Sequence, residues 1–411
     1  MVSRMNRLAP LARLAIVALV AQACAAPSLA ETGAPSAGLP EASSSPLPTA
    51  APTVEPTAAP SAGPAQSGVN ITLEDVGLPE DTYFLLSGMW DEQGWIVVGE
   101  ACQDGDLGSR ETCNGEAAIW TSTDARAWER AKLAHGDTGW MSAVTHWRDA
   151  YYAASSSKCG TFHFWRSTDA RAWEEVGSIN GGTPSGDDGC PVVEHLAGAA
   201  GGLVATLSDL TDIPSRVIRS TDGTTWEAVE RNAFGYPDDF FLYGADVIAT
   251  DAGATVVARC GRGCQTGVWK MRDGDTWTRL GLIPLAGLNY SIVGGDRLVV
   301  GITACTPEDC HTVLVAEGQG GKFQTVAIAP DMGRPELAWT GDAYVLVGEG
   351  DSGEFDPPGQ LWLSRDGLAW EKASIDLTTC PVPDLIGGPA VTLLLGDTRC
   401  GGSYLLTPSW T

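Results

Sequence analysis

Ile119-Trp120-Thr121-Ser122-Thr123-Asp124-Ala125-Arg126-Ala127-Trp128 returns 45 residues later as Phe164-Trp165-Arg166-Ser167-Thr168-Asp169-Ala170-Arg171-Ala172-Trp173. It returns again as Val217-Ile218-Arg219-Ser220-Thr221-Asp222-Gly223-Thr224-Thr225-Trp226 and as Val268-Trp269-Lys270-Met271-Arg272-Asp273-Gly274-Asp275-Thr276-Trp277. A degenerate fifth copy ends at Phe323, and Leu361-Trp362-Leu363-Ser364-Arg365-Asp366-Gly367-Leu368-Ala369-Trp370 is the sixth. The aromatic anchors are 45, 53, 51, 46 and 47 residues apart, the length of a four-stranded propeller blade.

The chemistry of the copy is that of a turn. An Asp side chain accepts hydrogen bonds from backbone N–H groups two and three residues on. The next position suits a left-handed backbone: Gly223, Gly274 and Gly367 stand there, with Ala125 and Ala170 in the first two copies. Ser122, Ser167, Ser220 and Ser364 cap the same turn. Trp128, Trp173, Trp226, Trp277 and Trp370 open the following strand. Nothing in the turn is reactive.

Two further strands precede each turn, as in Leu337-Ala338-Trp339-Thr340, Gly341-Asp342 and Ala343-Tyr344-Val345-Leu346-Val347-Gly348. Each unit therefore reads strand a, tight turn, strand b, longer loop, strand c, Asp turn, strand d. The last unit has strands a to c and ends at Trp410-Thr411. Thr72-Leu73-Glu74-Asp75-Val76-Gly77 matches Ala172-Trp173-Glu174-Glu175-Val176-Gly177 and supplies the missing strand d. The expected fold is all-β, a seven-bladed β-propeller over residues 68–411 closed by its N-terminal strand, which removes exposed sheet edges.

Ahead of the ring, residues 1–30 read as a signal peptide: Arg4, Arg7 and Arg13 precede the apolar run Leu14–Ala21, too short to span a bilayer. Two processing sites compete. Ser28-Leu29-Ala30 fits ordinary signal cleavage, and Ala21-Gln22-Ala23-Cys24 resembles a bacterial lipobox that would lipidate Cys24. Residues 31–67 are rich in Pro, Ala, Ser and Thr and cannot bury a core, so they form a disordered linker. Fully stretched, a linker of this kind reaches on the order of 100 Å. Localisation is therefore extracellular or at the cell surface of a bacterial envelope.

The formal net charge is −26, and −29 without the first 30 residues, which hold three arginines and no acid. Such a field repels nucleic acid and anionic lipid, so nucleic acid is excluded as a partner and membrane contact is confined to an N-terminal lipid anchor. It favours cations, or serves solubility alone.

The Asp turns resemble the Asp-box (BNR) repeat of sialidase-like propellers, with one residue fewer between Asp and Trp. That resemblance implies the fold and says little of function, since the motif occurs in sialidases, sortilin-like receptors, glycosidases and assembly factors. Sialidases use an arginine triad and a Tyr–Glu pair. No arginine lies between Gly68 and Arg110, and Arg219 belongs to an Asp turn, so no catalytic residue is carried across.

In a propeller the b–c and d–a loops share one face, here called the top, and the Asp turns lie on the other. Cys102, Cys113, Cys159, Cys260, Cys264, Cys305, Cys310 and Cys400 fall in or beside b–c loops, and Cys190 and Cys380 in d–a loops. Ten cysteines in an exported chain predict disulfides. Near-neighbour pairing gives Cys102–Cys113, Cys260–Cys264, Cys305–Cys310, Cys159–Cys190 and Cys380–Cys400, with other connectivities open. The same loops carry Asp104, Asp187, Asp188, Asp238, Asp239, Asp309, Glu349 and Asp351, with Trp140 and Tyr236 as aromatic neighbours. These are the candidate binding residues, against the plainer reading that wet loops carry charge. No cofactor or dedicated metal site is expected, and calcium is the one cation these carboxylates invite. The expected function is that of a monomeric, non-enzymatic propeller binding a protein, peptide or glycan through stapled top loops. The alternatives are a diverged sialidase-like hydrolase or lyase and an envelope-complex assembly factor.

Overall fold

The computed structural model describes residues 69–410 apart from 78–80, 103–114, 137–138, 158–159, 182–190, 209–215, 236–241, 251–252, 261–264, 272–275, 284, 286, 288, 306–309, 319–320, 330–331, 351–358, 374–383 and 396–402. The signal peptide, Cys24 and the linker lie outside the described residues.

Seven antiparallel sheets account for the described strands. The first strand, β1 (Val69–Asp75), joins the last blade. Blade 1 is β2 (Thr82–Asp91), β3 (Gly94–Cys102), β4 (Gly115–Ser122) and β5 (Glu129–Arg130). Blade 2 is β7 (Gly139–Trp147), β8 (Ala150–Ser157), β9 (Thr161–Ser167) and β10 (Ala172–Asn180), and it carries a fifth strand, β6 (Lys132–Leu133), parallel to β10. This extra strand departs from the expected four. After β5 the chain runs on to the outer edge of the next blade and caps it.

Blade 3 is β11 (Val193–Ala199), β12 (Gly202–Leu207), β13 (Val217–Ser220) and β14 (Glu227–Ala228); blade 4 is β15 (Leu242–Thr250), β16 (Gly253–Cys260), β17 (Thr266–Met271) and β18 (Trp277–Ile283). Blade 5 is β19 (Tyr290–Gly294), β20 (Leu298–Cys305), β21 (Cys310–Glu317) and β22 (Phe323–Ala329). Blade 6 is β23 (Met332–Trp339), β24 (Tyr344–Gly350), β25 (Gln360–Ser364) and β26 (Glu371–Lys372). Blade 7 is β27 (Asp384–Gly388), β28 (Val391–Leu395) and β29 (Tyr404–Trp410), completed by β1.

β1 pairs with β29 from Val69 opposite Trp410 to Asp75 opposite Tyr404, so the two ends of the ring share one ladder. The inner strands β2, β7, β11, β15, β19, β23 and β27 each touch the next, and β27 returns to β2. The chain is a closed seven-bladed β-propeller. Neighbouring blades also clasp the closing ladder. Arg126 of blade 1 holds the Glu74 carboxylate with two nitrogens, at 2.8 and 2.6 Å, and Arg365 of blade 6 lies 4.6 Å over the Trp410 ring. Both contacts are exposed, so they set register more than they add stability.

The core is divided in the same way. Seven clusters of buried apolar side chains fill the seven junctions between blades, for instance Phe164, Leu203, Ile218 and Trp226 between blades 2 and 3, and Leu393, Val97 and Trp120 between blades 7 and 1. Burying one such side chain contributes roughly 1.5–3 kcal/mol. A single blade has no core of its own, so the ring stands or falls by its junctions.

The Asp turns close as their chemistry dictates. Asp124 Oδ1 accepts from the N–H groups of Arg126 (2.8 Å) and Ala127 (3.0 Å), and Asp169, Asp222 and Asp366 accept from their own i+2 and i+3 N–H groups in the same way. The following residue is left-handed in all four: Ala125 (φ 61°), Ala170 (58°), Gly223 (80°) and Gly367 (69°). Trp173 and Trp370 donate their indole N–H to the carbonyls of Ala170 and Gly367, while Trp226 stacks on Phe164 with centroids 3.7 Å apart. Asp273 lies outside the described residues.

Candidate functional site

Along the seven inner strands one position recurs. Three or four rungs in from the inner hairpin stand Ser87, His195, Asp246, Ser291, Glu336 and Asp384, paired across to Val98, Thr206, Val257, Gly301, Val347 and Leu395. Blade 2 places Ala143 there, with Ser142 beside it. Of these polar residues, Ser87, His195, Glu336 and Asp384 line one cavity on the axis of the ring, while Asp246 and Ser291 reach backbone N–H groups of the next blade.

The ladders are also irregular at this level. The register shifts between Leu85 and Ser87, Met141 and Ala143, Val193 and His195, Tyr243 and Ala245, and Met332 and Pro335. A bulge inserts an unpaired residue and breaks the alternation. The inserted residues Leu86, Ser142 and Glu194 all line one cavity, and for that reason Glu194 and its neighbour His195 both reach it.

This cavity has a volume of about 420 Å³ and takes lining residues from all seven inner strands. They sit toward the N-terminal ends of those strands, where the d–a connections arrive, so the cavity is the top mouth of the central channel. A volume of a few hundred Å³ is typical of small-ligand pockets.

The electrostatics of the mouth follow from burial. Asp246 is buried, with its Oδ1 accepting from Val247 N–H (2.6 Å) and its Oδ2 from Ile292 N–H in the next blade (2.7 Å). Desolvation outweighs these bonds and pushes its pKa up to about 7. Asp384 accepts from Leu385 N–H at 2.7 Å and from Ser87, and burial raises it to about 6. Burial holds Glu336 well above the usual carboxylate range, although Arg334 Nε lies 3.2 Å from its Oε1; Asp384 and Asp246 push it further. Burial likewise raises Glu194 and depresses His195, whose Nδ1 is 3.2 Å from Asp246 Oδ1.

Part of this network is structural. Blades do not share backbone ladders, so inner-strand N–H groups need side-chain acceptors. Asp246 serves Ile292 N–H, Ser291 Oγ serves Leu337 N–H at 2.9 Å, and Thr145 Oγ1 serves Gly198 N–H at 3.2 Å. Glu194, Glu336 and Asp384 line the cavity itself, with Arg334 more than half exposed beside them.

Of the binding residues expected from sequence, Trp140 at the start of β7 lines this mouth. Glu349 falls in β24, and its side chain is not described. Asp104, Asp187, Asp188, Asp238, Asp239, Asp309, Asp351 and Tyr236 lie outside the described residues. Among the described residues no three His, Cys, Asp or Glu side chains stand together to hold a metal ion. Cys102, the one cysteine whose side chain is described, is buried and disulfide-bonded. Cys305 and Cys310 face each other directly in the β20–β21 ladder. Cys113, Cys159, Cys190, Cys264, Cys380 and Cys400 are outside the described residues.

The sequence does not single out Glu194, Asp246, Glu336 and Asp384, while His195, on an inner strand, reads as core or channel lining and lines the mouth. Their signal is the shared rung, three or four places back from each inner hairpin, which shows only when the blades are aligned; Glu194 alone among them sits at a bulge.

No family model and no curated protein matches the chain. Among solved structures it is similar to the computationally designed Ika8 protein (10% identity over 80% of this chain and 98% of that one, TM-score 0.44). It is also similar to a subtype N11 neuraminidase-like protein of A/flat-faced bat/Peru/033/2010 (9%, 84% and 94%, 0.46) and to an α-L-arabinanase of Penicillium chrysogenum (11%, 65% and 92%, 0.37). The seven-bladed ring fits the sialidase-like resemblance at the level of architecture. None of these likenesses bears on what this chain binds.

Proposed function

We propose that the protein is an exported or surface-tethered, non-enzymatic propeller that binds a protein or peptide partner by its top face, with a basic group of the partner entering the channel mouth. One observation carries this reading: a cavity of about 420 Å³ framed by all seven blades and lined by Glu194, Glu336 and Asp384. The net charge of −26 concentrates cations around it. Disulfides in the top loops, as the cysteine count suggests, would pre-organise that face and cut the entropy lost on binding. The opposed Cys305 and Cys310 fit one such bridge, since facing residues of an antiparallel pair stand about 4.5–5.5 Å apart at Cα.

The test is fluorescence anisotropy with a labelled tetralysine probe, beside tetraglutamate, at low salt. Wild type binds tetralysine at pH 7.5; Asp384→Asn and Glu194→Gln, with unchanged circular dichroism, each weaken it about tenfold, or ~1.4 kcal/mol. Absence of tetralysine binding, or binding indifferent to both substitutions, contradicts the reading.

A second reading has its own observation. Glu336, which burial raises well above the usual carboxylate range, and Asp384, raised to about 6, both line the mouth, and two carboxyls with raised pKa values are the kind of pair glycoside hydrolysis uses. Cleavage of aryl glycosides by wild type and its loss in Glu336→Gln would favour the diverged hydrolase over the binder.

A further inference from the structure

A second cavity, about 400 Å³, opens on the opposite face between the Asp turns of blades 1 and 2. One residue position contributes to its space. In blade 5 the position just ahead of Leu298 is Arg297, whose side chain runs into the equivalent junction. A Cβ placed on Gly367, the turn glycine of blade 6, would meet Arg297 Cδ at 3.1 Å and Val299 Cγ2 at 2.9 Å. The Tyr344 hydroxyl closes that junction further, accepting from Arg297 N–H and donating to Arg297 C=O, both at 2.9 Å.

Blade 1 has Gly94 in the place of Arg297. No side chain can stand there: φ is +132°, and an added Cβ would lie 2.4 Å from the Ser122 carbonyl oxygen. No side chain from this position enters the junction between blades 1 and 2; Gly202 and Gly253 hold the same place in blades 3 and 4.

Its lining is chemically specific. The half-buried Trp128, which also packs against the core between blades 7 and 1, lines one side. Asp91 and Tyr151 form the inner wall and are locked together, since the Tyr151 hydroxyl donates to Asp91 Oδ2 and Gln93 N–H donates to Oδ1. Burial raises the Tyr151 pKa strongly, so this wall keeps its proton. Gln93, Glu129 and Arg171 stand at the exposed rim, and their side chains make no hydrogen bond or ion pair among the described residues. The slot thus joins an indole side chain to an amide, a carboxylate and a guanidinium, offering both donors and acceptors.

We propose that this slot is a binding site for a neutral saccharide unit. Hydroxyl groups donate and accept at once, which matches the mixed rim, and the apolar face of a sugar ring matches the indole. The negative field of the whole chain disfavours sugar acids and phosphorylated ligands. The site is separate from the channel mouth in position and in the residues that form it.

Saturation-transfer difference NMR on the full chain, with cellobiose, maltose, mannobiose and N,N′-diacetylchitobiose as probes, tests it. At least one disaccharide receives saturation. Binding weakens about tenfold or more in Trp128→Ala, and likewise in Ala127→Trp, which fills the slot from an exposed position and leaves the core alone. Thr278→Ala, exposed on the outer strand of blade 4 and outside both cavities, leaves it unchanged. Transfer to none of the four sugars overturns the proposal, and so does transfer that survives Ala127→Trp.

Discussion

Gly223 and Ala170 occupy the same place in successive Asp turns, both left-handed, yet they are not interchangeable. A Cβ on Gly223 would stand 2.5 Å from the Tyr152 ring, whereas Ala170 carries its methyl buried without displacement. Gly223→Ala therefore combines a left-handed alanine with overpacking and is expected to destabilise by about 2–3 kcal/mol. Ala170→Gly relieves strain but frees the unfolded chain, so its effect stays within about 1 kcal/mol. Urea unfolding of both variants checks the contrast, and equal effects would contradict it. The turn carboxylates add an acid limit. Backbone N–H donors, from Ala127 then Arg126 at Asp124 and from Thr225 then Thr224 at Asp222, hold these groups below the usual range. Their contribution is present above the unfolded pKa and is lost as pH falls through the lower folded value. These residues were legible in the sequence because their chemistry is local: an Asp, its N–H partners and the aromatic anchor all fall within six residues.

At the scale of the strand, legibility is uneven. Strand order, the Asp turns and the pairing of Thr72–Asp75 with the last blade could be read because period and turn chemistry survive divergence. The channel-mouth carboxylates could not, because single acids on four of the seven inner strands look like loop charge until the blades are aligned rung by rung. Glu194 escapes even that alignment, since it sits at a bulge. The fifth strand β6 left no trace either, since two residues paired in parallel carry no pattern. The inner strands also predict a pH dependence of opposite sign to that of the turns. Glu336 and Asp246 have folded pKa values raised by burial, so the folded state holds their protons more tightly than the unfolded chain. Stability from this source is full below about pH 4 and falls as pH rises toward the folded values, about 7 for Asp246. Glu336→Gln, which cannot ionise, is expected to raise Tm at pH 8 and to flatten the decline of Tm between pH 5 and 8. A decline as steep as that of wild type would remove Glu336 from the account.

For the whole molecule, closure and function share one geometry. Seven junctions without a common core oblige the inner strands to meet around an axis, and polar side chains at that axis satisfy neighbouring N–H groups while leaving Glu194, Glu336 and Asp384 on a cavity. Burial favours the protonated carboxyl in the empty mouth and an entering cationic group favours the carboxylate, so binding there is expected to release protons. Calorimetric titration of the full chain with tetralysine at pH 6.5, in two buffers of different ionisation enthalpy, measures this directly. Net proton release that disappears in Asp384→Asn is the predicted result, and binding without proton release would place the ligand away from the channel mouth and contradict the account.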